Sequence, residues 1–375
     1  MKVTLETKEL CDAVNTCAVS VSKRNTTLPI TRDILFEVKG QRMILKSTDL
    51  QDGIITSIPC KSLDDLSVCI YSPTIKQYVS VGDGKVNIEL NDKTCSLERD
   101  GNRLSVLAVK ASDFPPIPYD PNISWHTLDA KLFCRMLTVL LNGCATDDSR
   151  PVLTTIAFHD GRMASADGFR LYSVKDERLD FGLGDKEALV CKSTAMKVVR
   201  LFEKKEKLEM GFSLFDKVKN PDRVYFRSGE TVLVGQLIQG TSPRYEQLIP
   251  STFQSRASFS VPLMLERLKL INPSIIPTGI IRLMFMQSDA REQICLMTAG
   301  DEPLKDGDAS YELTIPIKSH TEVYGKVAIN LNYIAPAIKY FSMCNMELTS
   351  PSSPIKFTGD LEWLTVVVMP MFVQW

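Results

Sequence analysis

Three histidines are present, His126, His159 and His320, and they fall in unrelated settings with no HxH, HxxxH or HExxH spacing. Zinc chemistry or a histidine-based proton relay needs several such groups converging on one site, and those spacings are how a helix or strand brings them together. Ten cysteines (11, 17, 60, 69, 95, 134, 144, 191, 295 and 344) are scattered without a single CxxC pair. That pattern fits free, buried thiols better than a zinc or disulfide framework. No phosphate-binding GxxxxGK[ST] loop and no GxGxxG occurs, and the carboxylates spread over hairpins and turns without a recognisable pair. Catalysis therefore finds no support in the residue pattern, and neither a metal nor a cofactor is expected.

What the residues do offer is paired positive charge and an apolar ending. Lys131 with Arg135, Lys197 with Arg200, and Arg267 with Lys269 lie on the polar faces of amphipathic helices. Lys23, Arg24 and Arg150 stand in loops just after such helices. Cations so placed either touch phosphates, which gives sequence-independent and salt-sensitive binding, or are ordinary solvated charges. The chain has 44 Lys+Arg against 45 Asp+Glu, a formal net charge of −1, so any attraction to nucleic acid must come from local placement. At the other extreme, the segment TVVVMPMFVQW (365–375) follows the last charged residue, Glu362. By its residues alone it reads as a last core strand, an unusual ending where termini are commonly polar and frayed.

These residues sit on a unit that recurs. Amphipathic first helices read TKELCDAVNTCAVS (7–20), LDAKLFCRMLTVLLNG (128–143) and VPLMLERLKLIN (261–272). In the middle one Leu132, Phe133, Met136, Leu137, Leu140 and Leu141 form a core-facing stripe, with Gly143 placed as a C-cap. Hairpins with period-two alternation follow at 34–50, 155–174 and 282–301, and Phe36, Phe158 and Phe285 take the same place in each. Second helices come at 72–82, 192–204 and 330–342, with Ser72-Pro73 and Lys192-Ser193 as their starts. Proline-rich joints lie at 113–121 and 242–253. With 375 residues, 44% hydrophobic and 24% charged, the chain predicts an α+β protein of three domains, at 1–117, 118–248 and 249–375. No apolar run approaches a membrane span, and the opening MKVTLETKELCD has no signal-like core, so a cytoplasmic location is expected.

The landmarks TLPI (27–30) with STDL (47–50), SADGFRLY (165–172), SPRYEQLIP (242–250) and VVMPM (367–371), in this order on a threefold repeat, resemble the bacterial DNA polymerase III β subunit family, the sliding clamps. The resemblance covers the whole chain. It implies the DNA clamp fold, three repeated domains of two helices and two sheets. Two chains would join head to tail into a dimeric ring around duplex DNA, held without sequence preference. It implies a non-catalytic processivity factor of DNA replication whose partners are the polymerase III catalytic subunit, the clamp loader, and other polymerases and repair proteins. These would dock short motifs in a pocket between the second and third domains. Carried over by position, the pocket takes Asp167, Gly168, Phe169, Arg170 and Leu171 from SADGFRLY, and Pro243, Tyr245, Gln247 and Leu248 from SPRYEQLIP. Val367, Val368, Met369, Pro370, Met371 and Phe372 come from the tail, with Tyr333 and Ser353 at the rim.

The same resemblance turns Lys23, Arg24, Lys131, Arg135, Arg150, Lys197, Arg200, Arg267 and Lys269 towards DNA. It sets Leu104 and Val106, in NRLSVLAV, against Leu270 and Ile271 across the ring interface. Three positions depart from the family. Phe169 stands where a histidine is usual, Gln247 where an arginine is common, and Met371-Phe372-Val373 where Met-Arg-Leu is the common ending. These changes make the pocket more apolar and bear on which peptide it takes. A monomeric peptide-binding scaffold that never closes into a ring stays open from the sequence.

Overall fold

The structure is a computed structural model that describes residues 2–22, 26–62, 65–90, 94–213, 220–273, 279–288, 291–298, 310–319 and 325–374. Six α-helices appear among them: α1 (Thr7–Cys17), α2 (Ser72–Val79), α3 (Ala130–Leu140), α4 (Lys192–Phe202), α5 (Val261–Leu270) and α6 (Leu331–Ile338). Each follows directly on a strand, so the strand–helix unit recurs through the chain. The helices are where periodicity predicts them and stop two to four residues early, because a helix's last turn lacks partners for its carbonyls and gives way to a turn. The expected starts shift by one residue. Tyr71 and Cys191 hold the N-cap positions and no side chain caps there, whereas Asn330 caps α6 by accepting the Asn332 amide at 2.9 Å. Gly143 is not a left-handed C-cap. A Cβ there would lie 2.5 Å from Ser165 Oγ and 2.8 Å from the Tyr172 ring, so the residue is there for close approach.

The chain forms two compact units, one of Met1–Leu137 with Asp180–Gln239 and one of Thr138–Leu179 with Gly240–Trp375. In the first, an antiparallel ladder runs from Leu66–Tyr71 through Asp33–Lys39, Arg42–Thr48, Asp52–Pro59, Thr231–Ile238, Arg223–Ser228 and Lys207–Ser213 to His126–Asp129. A separate five-stranded sheet ends at the edge strand Asn102–Leu107. In the second unit the ladder runs Thr155–His159, Arg162–Ala166, Arg170–Lys175, Leu364–Val368, Ile355–Gly359, Met343–Leu348, Ser255–Ser260. A four-stranded sheet ends at Lys326–Asn330. Phe36, Phe158 and Phe285, the repeated phenylalanines, are all buried.

Nine of the ten cysteines are buried and free, and Cys11 is partly exposed. Burial pushes the thiols up, to about 12 for Cys17, Cys69 and Cys134 and about 11 for Cys95 and Cys191, which leaves them protonated and unreactive at neutral pH. Among the described residues no group of His, Cys, Asp or Glu is arranged to hold a metal, and no helix is long and apolar enough to cross a membrane.

Candidate peptide-docking site

The turn between strands Arg162–Ala166 and Arg170–Lys175 is built by one carboxylate. Asp167 Oδ1 accepts the amides of Phe169 at 3.0 Å and Arg170 at 2.8 Å, and Gly168 takes the left-handed φ of +92° that this turn requires. Its other oxygen receives Arg170 Nε at 3.0 Å and Nη2 at 2.6 Å, a two-point contact between side chains only 13% and 18% exposed. Arg170 is thereby fixed with its guanidinium 4.8 Å above the centre of the Tyr333 ring. The Phe169 ring stacks on Tyr333 at 5.9 Å and 28°, and it remains 55% exposed. Tyr333 itself stands on the first turn of α6. The result is a fixed apolar platform with a locked cation beside it.

The tail divides in two at Val368. Leu364–Val368 lies between Arg170–Lys175 and Ile355–Gly359, with Val366, Val367 and Val368 all buried, so both faces of that strand are covered. The core-strand reading is the right one for this stretch. Leu171, Val367 and Val368 are buried and their side chains belong to the core, a correction to their placement as pocket-lining groups. Beyond it the chain turns outward. The Met369 amide donates to the Phe169 carbonyl at 2.8 Å, Pro370 is buried, and the Met371 amide donates to the Ala328 carbonyl at 2.8 Å. Met369 is 42% exposed beside the aromatic pair, and Phe372 is 88% exposed.

The segment Tyr245–Leu248 is a short 3-10 turn in the same unit, with Tyr245 buried and Pro243, Gln247 and Leu248 exposed. Glu246 pairs with Arg162, on the strand next to Arg170–Lys175. Ser353 bonds Ser350 at 2.7 Å, two residues ahead of Ile355, the sheet partner of Val368. The structure thus brings Asp167, Phe169, Arg170, Tyr333 and Met369 into one patch. The Phe169–Tyr333 stack and the Glu246–Arg162 pair had no local signal in the sequence, since each joins residues far apart in the chain.

The cations divide as well. Arg135, Arg150, Arg200 and Lys269 are exposed. Lys131 is paired with Glu206 at 3.2 Å and Arg267 with its neighbour Glu266 at 3.0 Å, both at the surface. Lys197 does not face outward, a correction to its assignment. Its ammonium lies 2.6 Å from Asp52 and 2.5 Å from Asp49, with 11% of the side chain exposed, because two carboxylates of its own unit neutralise it. Lys23 and Arg24 lie outside the described residues. Of the interface candidates, Leu104 and Val106 are half-buried on the edge strand and Leu270 is 54% exposed. Ile271 is only 3% exposed, so it is a core residue and not part of an outward patch. Its amide bonds the Leu268 carbonyl, which ends α5 and turns the side chain in.

Residues 1–118 match the family model for the DNA polymerase III beta subunit, N-terminal domain. The beta sliding clamp of Synechocystis sp. is 22% identical, and the match spans 99% of each chain. The chain is similar to the beta sliding clamps from end to end. The DNA polymerase III subunit beta of Pseudomonas aeruginosa superposes with a TM-score of 0.86 at 17% identity, covering 100% of both chains. The corresponding subunit of Thermotoga maritima does so with 0.84 at 19% identity, again over 100% of both. The fold is therefore the sliding-clamp fold, with α+β content. The beta sliding clamp is a non-catalytic processivity factor of DNA replication, in keeping with a sequence that has no catalytic constellation.

Proposed function

We propose that this protein is a DNA sliding clamp, a head-to-tail dimeric ring that encircles duplex DNA and tethers polymerases and other partners through the Phe169–Tyr333–Met369 patch. The observation that carries the reading is the end-to-end likeness to beta sliding clamps together with an exposed aromatic platform at the position the family motif marks. In this reading the chain divides into domains at 1–117, 118–248 and 249–375, and works in the cytoplasm. Its partners are the polymerase III catalytic subunit, the clamp loader, and other polymerases and repair proteins that present short motifs.

Arg135, Arg150, Arg200 and Lys269 supply diffuse attraction to phosphates. A ring needs no tight local grip, since a topological link provides persistence, and a net charge of −1 is compatible with sliding. Partner peptides bring a glutamine and bulky apolar anchors; an anchor lies on the exposed face of Phe169 beside Met369, whose thioether adapts to several shapes.

The test is retention on DNA. Loaded on a nicked circle, the protein stays bound through a high-salt wash, and linearising the circle releases it. Equal release from circular and linear DNA, or a sedimentation mass of one 42.0 kDa chain at all concentrations, identifies a monomeric scaffold instead.

A further inference from the structure

The Asp167 turn has a counterpart in the first unit, matched in the hydrogen bonds of its backbone amides. Asp49 Oδ1 accepts the Gln51 amide at 3.2 Å and the Asp52 amide at 2.8 Å, as Asp167 does for Phe169 and Arg170. The Asp49 amide donates to the Asp52 carbonyl at 3.2 Å, and the Asp167 amide to the Arg170 carbonyl at the same distance. Ser47 Oγ donates to the Cys17 carbonyl and Ser165 Oγ to the Leu140 carbonyl, each at 2.6 Å. Downstream, Asp52 pairs with Gly235 as Arg170 pairs with Val368, and the Gln236 amide donates to the Gln51 carbonyl where Met369 donates to Phe169. Even the left-handed residue is matched, Leu50 at φ +77° for Gly168 at +92°. A leucine held in this conformation, half-exposed, has a backbone cost that its side chain must offset in some other way.

At this counterpart lies a cleft of about 160 Å³. Leu50, Ile117 and Val234 line it with apolar surface, Pro116 of the proline-rich joint forms its rim, and Gln51 and Arg223 supply polar groups. The joint sits close because Gly53 has no side chain, where a Cβ would lie 2.6 Å from Ile117 Cγ2. The one carboxylate on the wall, Asp52, is already paired with Lys197. Arg223 meets Asp222 only at 3.8 Å, while Ser213 holds the other Asp222 oxygen at 2.6 Å.

We propose that this cleft is a second docking site, for an extended peptide that presents one aliphatic side chain followed by a carboxylate. The proposal rests on the docking reading of the Phe169 patch, whose turn it repeats. The cleft has room for a single aliphatic side chain against Leu50 and the prolines of the joint, with Ile117 packed on the buried Val234 behind it, and Arg223 is the cation that a following carboxylate meets. The two sites then select differently, the second-unit site through an aromatic platform and this one through an aliphatic slot and a charge.

Methyl-labelled full-length protein is titrated with N-acetyl-Ile-Asp-amide and with N-acetyl-Ile-Asn-amide while the NMR signals of Leu50, Ile117 and Val234 are followed. Saturable shifts at these three methyl groups are expected, with the Asn dipeptide weaker by about tenfold, the loss of one charge-assisted hydrogen bond. Arg223→Ala brings the two dipeptides to equal, weak affinity. Leu50→Gly, which suits the backbone and removes the aliphatic wall, weakens both and preserves the fold if Arg223→Ala does not. Absence of saturable shifts, or equal binding of the Asp and Asn dipeptides to the unaltered protein, overturns the proposal. A longer peptide with a glutamine and two apolar anchors, read at the Met369 methyl, tests the second-unit site separately. A response there with none at Leu50 removes the second site alone.

Discussion

The ammonium of Lys197 lies 2.6 Å from Asp52 Oδ2, and the Asp52 side chain is wholly sealed from solvent. Thr194 Oγ1 donates to the other carboxylate oxygen at 2.7 Å, so the acid is held by two residues of α4. Burial pushes the Asp52 carboxyl up from its ordinary value, and Lys197 opposes that shift. Removing the cation from a buried pair costs about 3–5 kcal/mol, because an uncompensated charge remains. Lys197→Met is therefore expected to destabilise the fold strongly and to leave DNA affinity per folded molecule unchanged. The folded state favours the proton on Asp52 more than the unfolded state does, so the variant regains stability as pH is lowered towards 3.8 and loses it as pH rises. Urea midpoints at pH 5 and pH 8 measure this; equal midpoints for variant and parent at pH 8 contradict it.

Asp33 gives a milder pH signal. It is 8% exposed at the start of its strand, and burial pushes its carboxyl up to about 6, with Arg32 opposing. Its contribution is fully present below an unfolded value of 3.8 and declines as pH rises through about 6. The size of the decline is at most about 3 kcal/mol, at 1.36 kcal/mol for each tenfold change in proton affinity. Asp33→Asn is expected to flatten the stability profile between pH 4 and pH 6, measured by chemical denaturation. A profile of unchanged slope means that Asp33 does not titrate in this window.

Neutralising Arg135, Arg150, Arg200 and Lys269 together should weaken direct DNA binding and reduce the slope of log affinity against log salt by up to about 0.9 per lost phosphate contact. Lys197 is left out because it is already paired inside its unit. The ring contact, which uses none of these groups, should persist. An unchanged salt slope would show that these four cations face away from the nucleic acid.

For the docking patch, Phe169→Ala removes the exposed member of the stack and Tyr333→Ala the ring it rests on. Each is expected to weaken a polymerase-type peptide by about 1–3 kcal/mol, as for aromatic anchors at interface centres. Deleting Met371–Trp375 removes the amide bond to Ala328 but not the strand Leu364–Val368, so the fold survives while peptide affinity falls. Fluorescence anisotropy with labelled peptides separates these effects. Full affinity in the double Phe169→Ala, Tyr333→Ala variant would place the peptide elsewhere.

For the ring contact, Leu104→Asp with Leu270→Asp is expected to yield monomers, since burying a large apolar side chain is worth about 1.5–3 kcal/mol. Ile271 is not the position to alter, because its side chain lies in the core and an aspartate there would unfold the protein before it tested assembly. Sedimentation of the folded double variant as a dimer would move the interface.

Whatever depends on neighbours along the chain was readable from the residues alone. Helix stripes such as Phe133, Met136, Leu137 and Leu140, the hairpin alternation around Phe36 and Phe158, and the repeated turn at STDL and SADGF were all legible, because periods and turn chemistry are local. Even Asp167 and Arg170 stood three apart, the spacing at which a turn joins them. The tertiary structure decided which side of each element meets water and which distant charge arrives. Lys197 read as one of a cationic pair until Asp49, 148 residues away, proved to hold it. Leu270 and Ile271 are alike in hydropathy, and only the end of α5 sends one outward and the other inward. The tail's division at Val368 has the same cause. Its apolar residues are one run in sequence, but Leu364–Val368 is paired along both edges by distant strands and its Leu364, Val366, Val367 and Val368 side chains are buried, while Met369 and Phe372 are exposed.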